Sequence, residues 1–152
     1  MKGKNVGTYE TLNEVLVSLF RNVNDVEQKA VITQEFKDIT NNDMHVIDAI
    51  GVGEPKNMSS IARILSVTVG TLTISINSLV KKGYVVRQRG SEDRRVVYIS
   101  LSDKGRKAYD HHKRFHEQMI KAVTEKLTEE ELKVLVEMLT KLDSWFRSFE
   151  EN

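Results

Sequence analysis

The chain contains no cysteine, a single proline and only eight glycines among its 152 residues. The lack of cysteine excludes disulfide bonds, thiolate metal ligands and thiol-based redox sensing. No apolar run approaches the roughly 20 residues that span a bilayer, and the first residues lack the apolar stretch of a signal peptide. With 39% hydrophobic and 30% charged residues, we expect one globular, cytoplasmic domain with a substantial core.

The net charge of the chain is only +1, but the charge is unevenly distributed along the sequence. Residues 81–95 carry six basic and two acidic side chains, whereas residues 128–152 carry seven acidic and three basic ones. A basic segment that lies next to a helical pattern is typical of a DNA-binding surface.

Apolar spacing predicts a mostly α protein with a small β-wing. Residues 58–105 read in turn as helix, tight turn, helix, strand, charged turn, strand and helix start, the order of a winged helix-turn-helix. We therefore expect a single chain, 1–152, with a DNA-binding module over 41–102 and long helices over 8–30 and 103–151 for dimerisation. Asn41 or Asn42 is expected to cap the helix over 42–50, and Thr128 with Glu131 to form a capping box.

The second helix of the helix-turn-helix, 68–82, is the predicted recognition helix. Threonine can offer a hydroxyl to a phosphate or base and a methyl group to thymine, and asparagine can pair with adenine. Glycine lets the backbone approach DNA closely. Alternatively, the threonines only cap the helix or face solvent, and the isoleucine packs against the rest of the module. The candidate residues are Thr68, Gly70, Thr71, Thr73, Ile74 and Asn77.

The charged turn between the two strands is the predicted wing. Arg94 and Arg95 can enter a minor groove, and Asp93 is expected to hold one of them by a bidentate ion pair. Phosphate contacts, which orient without specifying sequence, are expected from Lys81, Lys82, Arg87 and Arg89. Either of the two lysines could equally be an ordinary solvated charge.

The last helix carries an apolar seam with alternating three- and four-residue spacing, typical of a helix that packs against a partner helix. The seam comprises Leu132, Leu135, Leu139, Leu142, Phe146 and Phe149. Together with Leu12 in the first helix, we interpret it as a dimer interface. Packing onto other helices of the same chain is the alternative.

Other chemistry is weakly supported. His112 and His116 have a spacing that can hold a metal ion, but we expect no metal site, because no further converging ligand is evident and two basic residues lie between them. His45 lies either in the core or beside an effector crevice. No nucleophile elbow, phosphate-binding loop or metalloprotease motif occurs, so we expect neither an enzyme nor a cofactor.

The segment Asp93-x-Arg95, followed by five residues and Leu101-Ser102, resembles the wing pattern of the MarR family of regulators. The residues around Gly70-Thr71, Leu79 and Lys81-Lys82-Gly83 are also similar to that family. The resemblance covers nearly the whole chain, with serine at 102 where threonine is usual. It implies an obligate dimer whose terminal helices form the interface and whose modules bind successive major grooves of a pseudo-palindromic operator.

A narrower resemblance is to the FabT branch of the family, which represses fatty acid synthesis genes. It rests on segments 36–39, 43–48, 67–71 and 112–116. It implies a long-chain acyl-acyl carrier protein as co-repressor. Large apolar side chains and flexible methionines favour an acyl-chain pocket, for which the candidates are Leu16, Phe20, Met44, His45, Phe115 and Met119.

Two other functions stay open at this point. One is a MarR-type regulator that responds to phenolic or drug-like small molecules. The other is a winged helix that serves as a scaffold for protein interactions. For an acidic carrier protein, Lys113 and Arg114, or Arg63, could supply a basic contact.

Overall fold

The computed structural model describes residues 6–150. Residue 151, the end of the predicted dimerisation helix, lies outside them. The helices are α1 (Val6–Val31), α2 (Asn41–Ile50), α3 (Met58–Ile64), α4 (Val69–Lys81), α5 (Asp103–Thr124) and α6 (Glu129–Glu150), and the strands are β1 (Lys56–Asn57), β2 (Val85–Arg89) and β3 (Val97–Leu101). The prediction of a mostly α protein with a β-wing is confirmed. The chain divides into two compact units, the first ending at Lys113 and the second beginning at Arg114.

The first helix of the module begins one residue earlier than the predicted caps allow. Thr40, not Asn41 or Asn42, is its N-cap. The Thr40 hydroxyl accepts a hydrogen bond from the Asp43 N–H at 3.1 Å, and the Asp43 carboxylate accepts one from the Thr40 N–H at 3.0 Å. The reciprocal pair satisfies two backbone donors at once, which a lone asparagine cannot do. The predicted capping box of Thr128 and Glu131 on α6 is confirmed.

The core of the first unit lies between α2, α3, α4 and the sheet. Its fully buried side chains come from the periodic apolar positions of these elements, among them Ile47, Ile61, Leu72, Ile76 and Ile99. Because α4 buries only the face that carries Leu72, Ile76 and Leu79, its opposite face stays exposed.

The sheet has three antiparallel strands in the order β1-β3-β2. Pairing of Val85 with Leu101 and of Arg89 with Val97 sets the register of the wing. The third strand, β1, pairs Lys56 with Ile99 and was not predicted, because two residues are too few for an alternating pattern. β1 fixes the start of α3 against the wing.

The helix-turn-helix is formed by α3 and α4, whose axes are bent by 104°. Ser66, in the turn, has a φ of +53°, in the left-handed region. Among residues 6–150, no single helix is long and apolar enough to cross a bilayer, and α3 and α4 meet that criterion only when counted together across their bend.

Two helices leave apolar faces exposed. In α1, Leu12 and Phe20 are exposed, and in α6 the seam residues Leu139 and Phe146 are 51% and 53% exposed. Phe149 is exposed as well, to 71%. Contiguous apolar surface of this kind marks an interaction site in a soluble domain.

Candidate DNA-binding site

The exposed face of α4 carries the residues that the sequence proposed as base readers. Thr71, Thr73 and Asn77 are exposed, and Ile74 is 73% exposed. An isoleucine this exposed does not pack against the module, so the alternative reading of Ile74 is wrong. Its side chain is available for an apolar contact such as a thymine methyl group.

The threonines of α4 differ in the hydrogen bonds that they already make. Thr68 is the N-cap: its hydroxyl accepts from the Thr71 N–H at 3.1 Å and lies 2.9 Å from the Thr71 hydroxyl. The Thr73 hydroxyl donates to the Val69 carbonyl at 2.7 Å. Thr73 can therefore only accept from a partner, whereas one proton of the Thr68–Thr71 pair remains to donate to a phosphate or base.

Asn77 is joined to the first strand of the wing. Its side-chain oxygen accepts a hydrogen bond from the Arg87 guanidinium. A bidentate contact with adenine needs that oxygen as well as the amide nitrogen. In the free protein the two side chains therefore form one polar unit that connects the recognition helix to the wing.

Gly70 has no neighbour that requires a glycine. A Cβ at this position would meet only the Thr68 hydroxyl, at 3.9 Å, and the residue lies inside α4. The fold therefore tolerates a side chain here, and nothing in the packing around α4 requires glycine at this position.

The wing is ordered by a carboxylate, as the sequence predicted. Asp93 accepts from the Arg95 guanidinium at 3.1 and 3.0 Å and from the Arg95 backbone N–H at 2.9 Å. The guanidinium and backbone donors hold the pKa of Asp93 below its ordinary value. Arg94 is exposed and is not part of this clamp, so the two arginines are presented differently.

The tip of the wing also depends on Gly90, which no sequence motif singled out. A Cβ at Gly90 would lie 2.6 Å from the Asp93 carbonyl oxygen. The Gly90 N–H donates to Val96 at 2.8 Å, which closes the turn. Any larger residue must displace the backbone that carries Asp93 and Arg95.

The end of the recognition helix is anchored by a second set of charges. The Lys82 ammonium lies 2.8 Å from Asp43 at the start of α2, so the expectation that Lys82 contacts phosphate is corrected. Lys104 donates to the Lys82 carbonyl at 3.0 Å and lies over the ring of Tyr84. Gly83, with a φ of +83°, follows the helix in the left-handed conformation in which glycine commonly ends helices.

Tyr84 extends this anchor beneath the wing. It is fully buried, and its hydroxyl donates to Asp38 at 2.7 Å. That bond holds the pKa of Asp38 below its ordinary value, and burial together with Asp38 raises the pKa of Tyr84. The anchor therefore fixes α4 and β2 relative to α2 before any DNA is bound.

Comparison with known proteins agrees with this geometry. Residues 28–112 match the family described as transcriptional regulator SarA/Rot. The structure of Streptococcus pneumoniae FabT in complex with DNA is similar to this chain, with 40% identity, a TM-score of 0.87, and coverage of 93% of this chain and 99% of that one. This chain belongs to the MarR family of winged-helix transcriptional regulators.

Two curated relatives extend the comparison. The chain is 27% identical to the Bacillus subtilis regulator PchR over 150 residues, covering 90% of this chain and 88% of PchR. It is 32% identical to the Streptococcus pneumoniae regulator AdcR over 107 residues, covering 68% and 73% respectively. The fold and these relatives are those of DNA-binding transcriptional regulators, and none of them is named as an enzyme.

Within this MarR-family chain, the candidate effector residues occupy unlike positions. Met44 is fully buried in the core, Leu16 is half-buried, and Phe20 and His45 are exposed. Phe115 and Met119 are half-buried in the second unit. The exposure of His45 excludes the alternative that it is a core histidine.

A buried polar cluster in the first unit was not foreseen. His112 is 1% exposed; its Nε2 lies 2.9 Å from Glu27 and its Nδ1 lies 2.6 Å from Asp48. Burial alone would lower the pKa of His112, but the nearby carboxylates of Asp48 and Glu27 outweigh it and raise that pKa. Burial likewise opposes ionisation of Glu27, yet His112 and the charge of His45 bring its pKa below the ordinary value.

Proposed function

We propose that this MarR-family regulator is a homodimeric, cytoplasmic repressor of fatty acid biosynthesis genes, with long-chain acyl-acyl carrier protein as its co-repressor. The observation that carries this proposal is the 40% identity to FabT over 93% of the chain. The surface formed by α4 and the wing is exposed and ordered before DNA is bound. In the proposed dimer, each of the two modules would bind one half-site of a pseudo-palindromic operator through this surface.

The proposed DNA contacts divide by chemistry into three groups. The exposed face of α4 makes the direct contacts with bases in the major groove. The wing reads the minor groove, and the cations on α4 and β2 contact phosphates. Asp93 acts by orienting Arg95. The full set is Thr68, Gly70, Thr71, Thr73, Ile74, Asn77, Lys81, Arg87, Arg89, Asp93, Arg94 and Arg95.

A first prediction concerns base reading. Thr71→Ala and Asn77→Ala are expected to relax sequence preference more than they reduce affinity for random DNA, because base contacts specify and phosphate contacts do not. A binding-site selection with each variant measures this. Lys81→Ala is the matched control, since a phosphate contact should weaken all sequences alike and reduce the salt slope by about 1. Recovery of the wild-type motif by both threonine and asparagine variants would exclude these two residues as base readers.

A second prediction concerns the wing. Arg95→Ala and Arg94→Ala are each expected to weaken operator binding about tenfold, the scale of one lost base-edge contact. Asp93→Ala should also weaken binding, although it removes a negative charge, because it releases the Arg95 guanidinium and backbone. Operator titrations at fixed salt test this, with Glu92→Ala as the control for removing a neighbouring carboxylate. Tighter binding by Asp93→Ala would contradict the orienting role.

The dimer interface is proposed from the exposed apolar faces of the terminal helices. The interface residues are Leu12, Leu132, Leu135, Leu139, Leu142, Phe146 and Phe149. Dimerisation would cover this surface and set the spacing of the two recognition helices at about one turn of DNA.

The effector proposal combines an apolar site with a basic surface. Candidates for the acyl-chain site are Leu16, Phe20, Met44, His45, Phe115 and Met119. An acidic carrier protein would contact exposed cations, for which Arg63 or the pair Lys113 and Arg114 are suited. Of the apolar candidates, Met44 requires the largest rearrangement, because its side chain has no exposed surface.

A third prediction tests this effector. The protein–operator complex is titrated with acyl carrier protein that bears chains of about four to eighteen carbons. Burial of each methylene contributes about 0.8 kcal/mol, so the effect should rise by roughly tenfold for every two carbons, and short chains should be silent. The operator should be held more tightly with the long-chain form.

The controls separate the effector from the DNA-binding function. Carrier protein without an acyl chain should have no effect, and Arg63→Glu should weaken the response without changing operator affinity. A flat response across the series, or a response to salicylate-like acids alone, would favour a regulator of the drug-sensing type. Failure to bind operator DNA at all would instead favour the scaffold reading.

A further inference from the structure

Asn77 of the recognition helix has a hydrogen-bond partner before any DNA is present. The Arg87 guanidinium donates to the Asn77 side-chain oxygen, and both side chains are exposed. Because a guanidinium carries only donors, the oxygen and not the nitrogen of the amide must face it. The oxygen is therefore occupied in the free protein, and the amide nitrogen is the atom that Asn77 can offer to DNA.

The fold holds these two residues next to each other. Only residues 82–84 separate α4 from β2, and the two elements are in contact. Arg87 pairs across the sheet with Ile99, which is fully buried, and directly opposite residues of an antiparallel pair point to the same face. The Arg87 side chain therefore leaves the sheet on the face that packs against the helices, where it reaches Asn77.

The contact with Asn77 does not neutralise the charge of Arg87. Its partner is a neutral amide, and among residues 6–150 no carboxylate pairs with it. A guanidinium has several N–H donors, so it can hold Asn77 with one of them and contact a DNA phosphate with others. A phosphate contact by Arg87 and its bond to Asn77 are therefore compatible.

Adenine and guanine differ in what they require from an asparagine. Both purines present N7 as an acceptor in the major groove, but adenine has the N6 donor where guanine has the O6 acceptor. For a bidentate contact with adenine, Asn77 would have to release Arg87 and exchange a bond from an ionised donor for a weaker neutral one. The amide nitrogen alone, by contrast, can donate to N7 of either purine.

We infer that Arg87 is a positioning residue that sets the base preference of Asn77. By holding the side-chain oxygen, Arg87 makes Asn77 a donor to N7 of either purine instead of a reader of adenine. The inference rests on the proposed binding of operator DNA through α4. Its consequence is that loss of Arg87 should weaken operator binding overall and yet sharpen the sequence preference at one position.

The pairing itself is tested without DNA. In the full chain labelled with ¹⁵N, Arg87→Met should shift the side-chain amide resonances of Asn77, because methionine is a long side chain without donors. Arg89→Met is the matched control, since Arg89 lies two residues further along β2 and, within the described part of the chain, its side chain makes no hydrogen bond to α4. Unshifted Asn77 resonances in Arg87→Met would overturn the inference.

The base preference is measured at a single operator position, the one whose preference Asn77→Ala relaxes in a binding-site selection. Wild-type protein should bind operators with adenine or guanine there within about threefold of each other, whereas Arg87→Met should prefer adenine by roughly five- to hundredfold, the value of a bidentate pair. Arg89→Met should weaken both operators alike. Combining Arg87→Met with Asn77→Ala should remove the preference for adenine.

A measurement on the wild type alone keeps the inference testable if Arg87→Met does not fold. Purine analogues in which carbon replaces N7 are placed at the same operator position. Loss of this acceptor should weaken binding of the adenine and the guanine operators by the same factor, because the amide nitrogen donates to N7 in both. Unchanged binding of either analogue would overturn the inference.

The outcomes separate this inference from the proposed function. A wild type that strongly prefers adenine, or an Arg87→Met variant that weakens both operators alike, would overturn the role of Arg87 and leave operator binding in place. Relaxation of no position by Asn77→Ala would do the same. Failure of the wild type to bind operator DNA would overturn the proposed function and the inference with it, whatever the resonances of the free protein show.

Discussion

The double variant Leu139→Asp with Phe146→Asp is expected to abolish dimer formation and operator binding together. Both side chains lie on the exposed apolar seam of α6. In the proposed dimer, each chain would bury both new carboxylates in the interface without partners. The free-energy cost of burying them exceeds the usual net stability of a domain. A single module would then hold only one half-site, and the affinity gained by linking two modules would be lost.

The measurement is light scattering combined with an operator titration. Lys133→Asp with Ser144→Asp is the matched control, since it places two carboxylates on the opposite, exposed side of α6 and should leave the dimer intact. A well-folded wild-type monomer at micromolar concentration would contradict the interface. So would a double variant that still binds the operator as a dimer.

Gly105→Ala is expected to destabilise the first unit by about 1–3 kcal/mol or more, the range for overpacking a well-packed site. A Cβ at this position would lie 2.1 Å from the Tyr84 carbonyl oxygen and 3.2 Å from the Leu101 Cβ. The same carbonyl accepts from the Ser102 N–H at 2.9 Å. Relief of the clash must therefore move α5 away from the start of the wing, and operator affinity should fall with stability.

Chemical denaturation of wild type and variant measures the change. Gly70→Ala is the control of the same chemistry, because its Cβ would meet nothing closer than 3.9 Å. Within a helix, alanine should raise stability by about 0.4–1 kcal/mol. Gly70→Ala should nevertheless weaken operator binding, if the bare backbone there lies against DNA. Equal losses of stability in the two variants would contradict the proposal that the close approach to Tyr84 requires glycine at position 105.

The elements of this chain could be predicted because their signals are local. A helix that packs on one side repeats apolar residues every three or four positions, as Leu72, Ile76 and Leu79 do, and a paired strand alternates. The capping box of Thr128 and Glu131 and the clamp of Asp93 on Arg95 join residues two or three positions apart. Such contacts follow from backbone geometry alone, so the wing clamp was predicted correctly.

The site could be predicted only in outline. The sequence indicated the face of α4 and the cations of the wing, but it could not indicate which hydroxyl protons were already used or that Arg87 bonds to Asn77. Lys82 has the same local signal as Lys81, yet it pairs with Asp43, 39 positions away. The position of a charged residue within a basic segment of the sequence does not show which partner the fold brings close to it.

By itself, the sequence determined the order of the helices and strands, the winged helix-turn-helix and the family, because these depend on periodicity and on motifs of a few residues. The tertiary structure alone decided the two-residue strand β1, the anchor of the recognition helix and the close approach of Gly105 to Tyr84. It also brought His112 within reach of Glu27, 85 positions away. Contacts between residues so distant in the chain depend on how the helices pack, and packing is set by the whole core rather than by any local pattern.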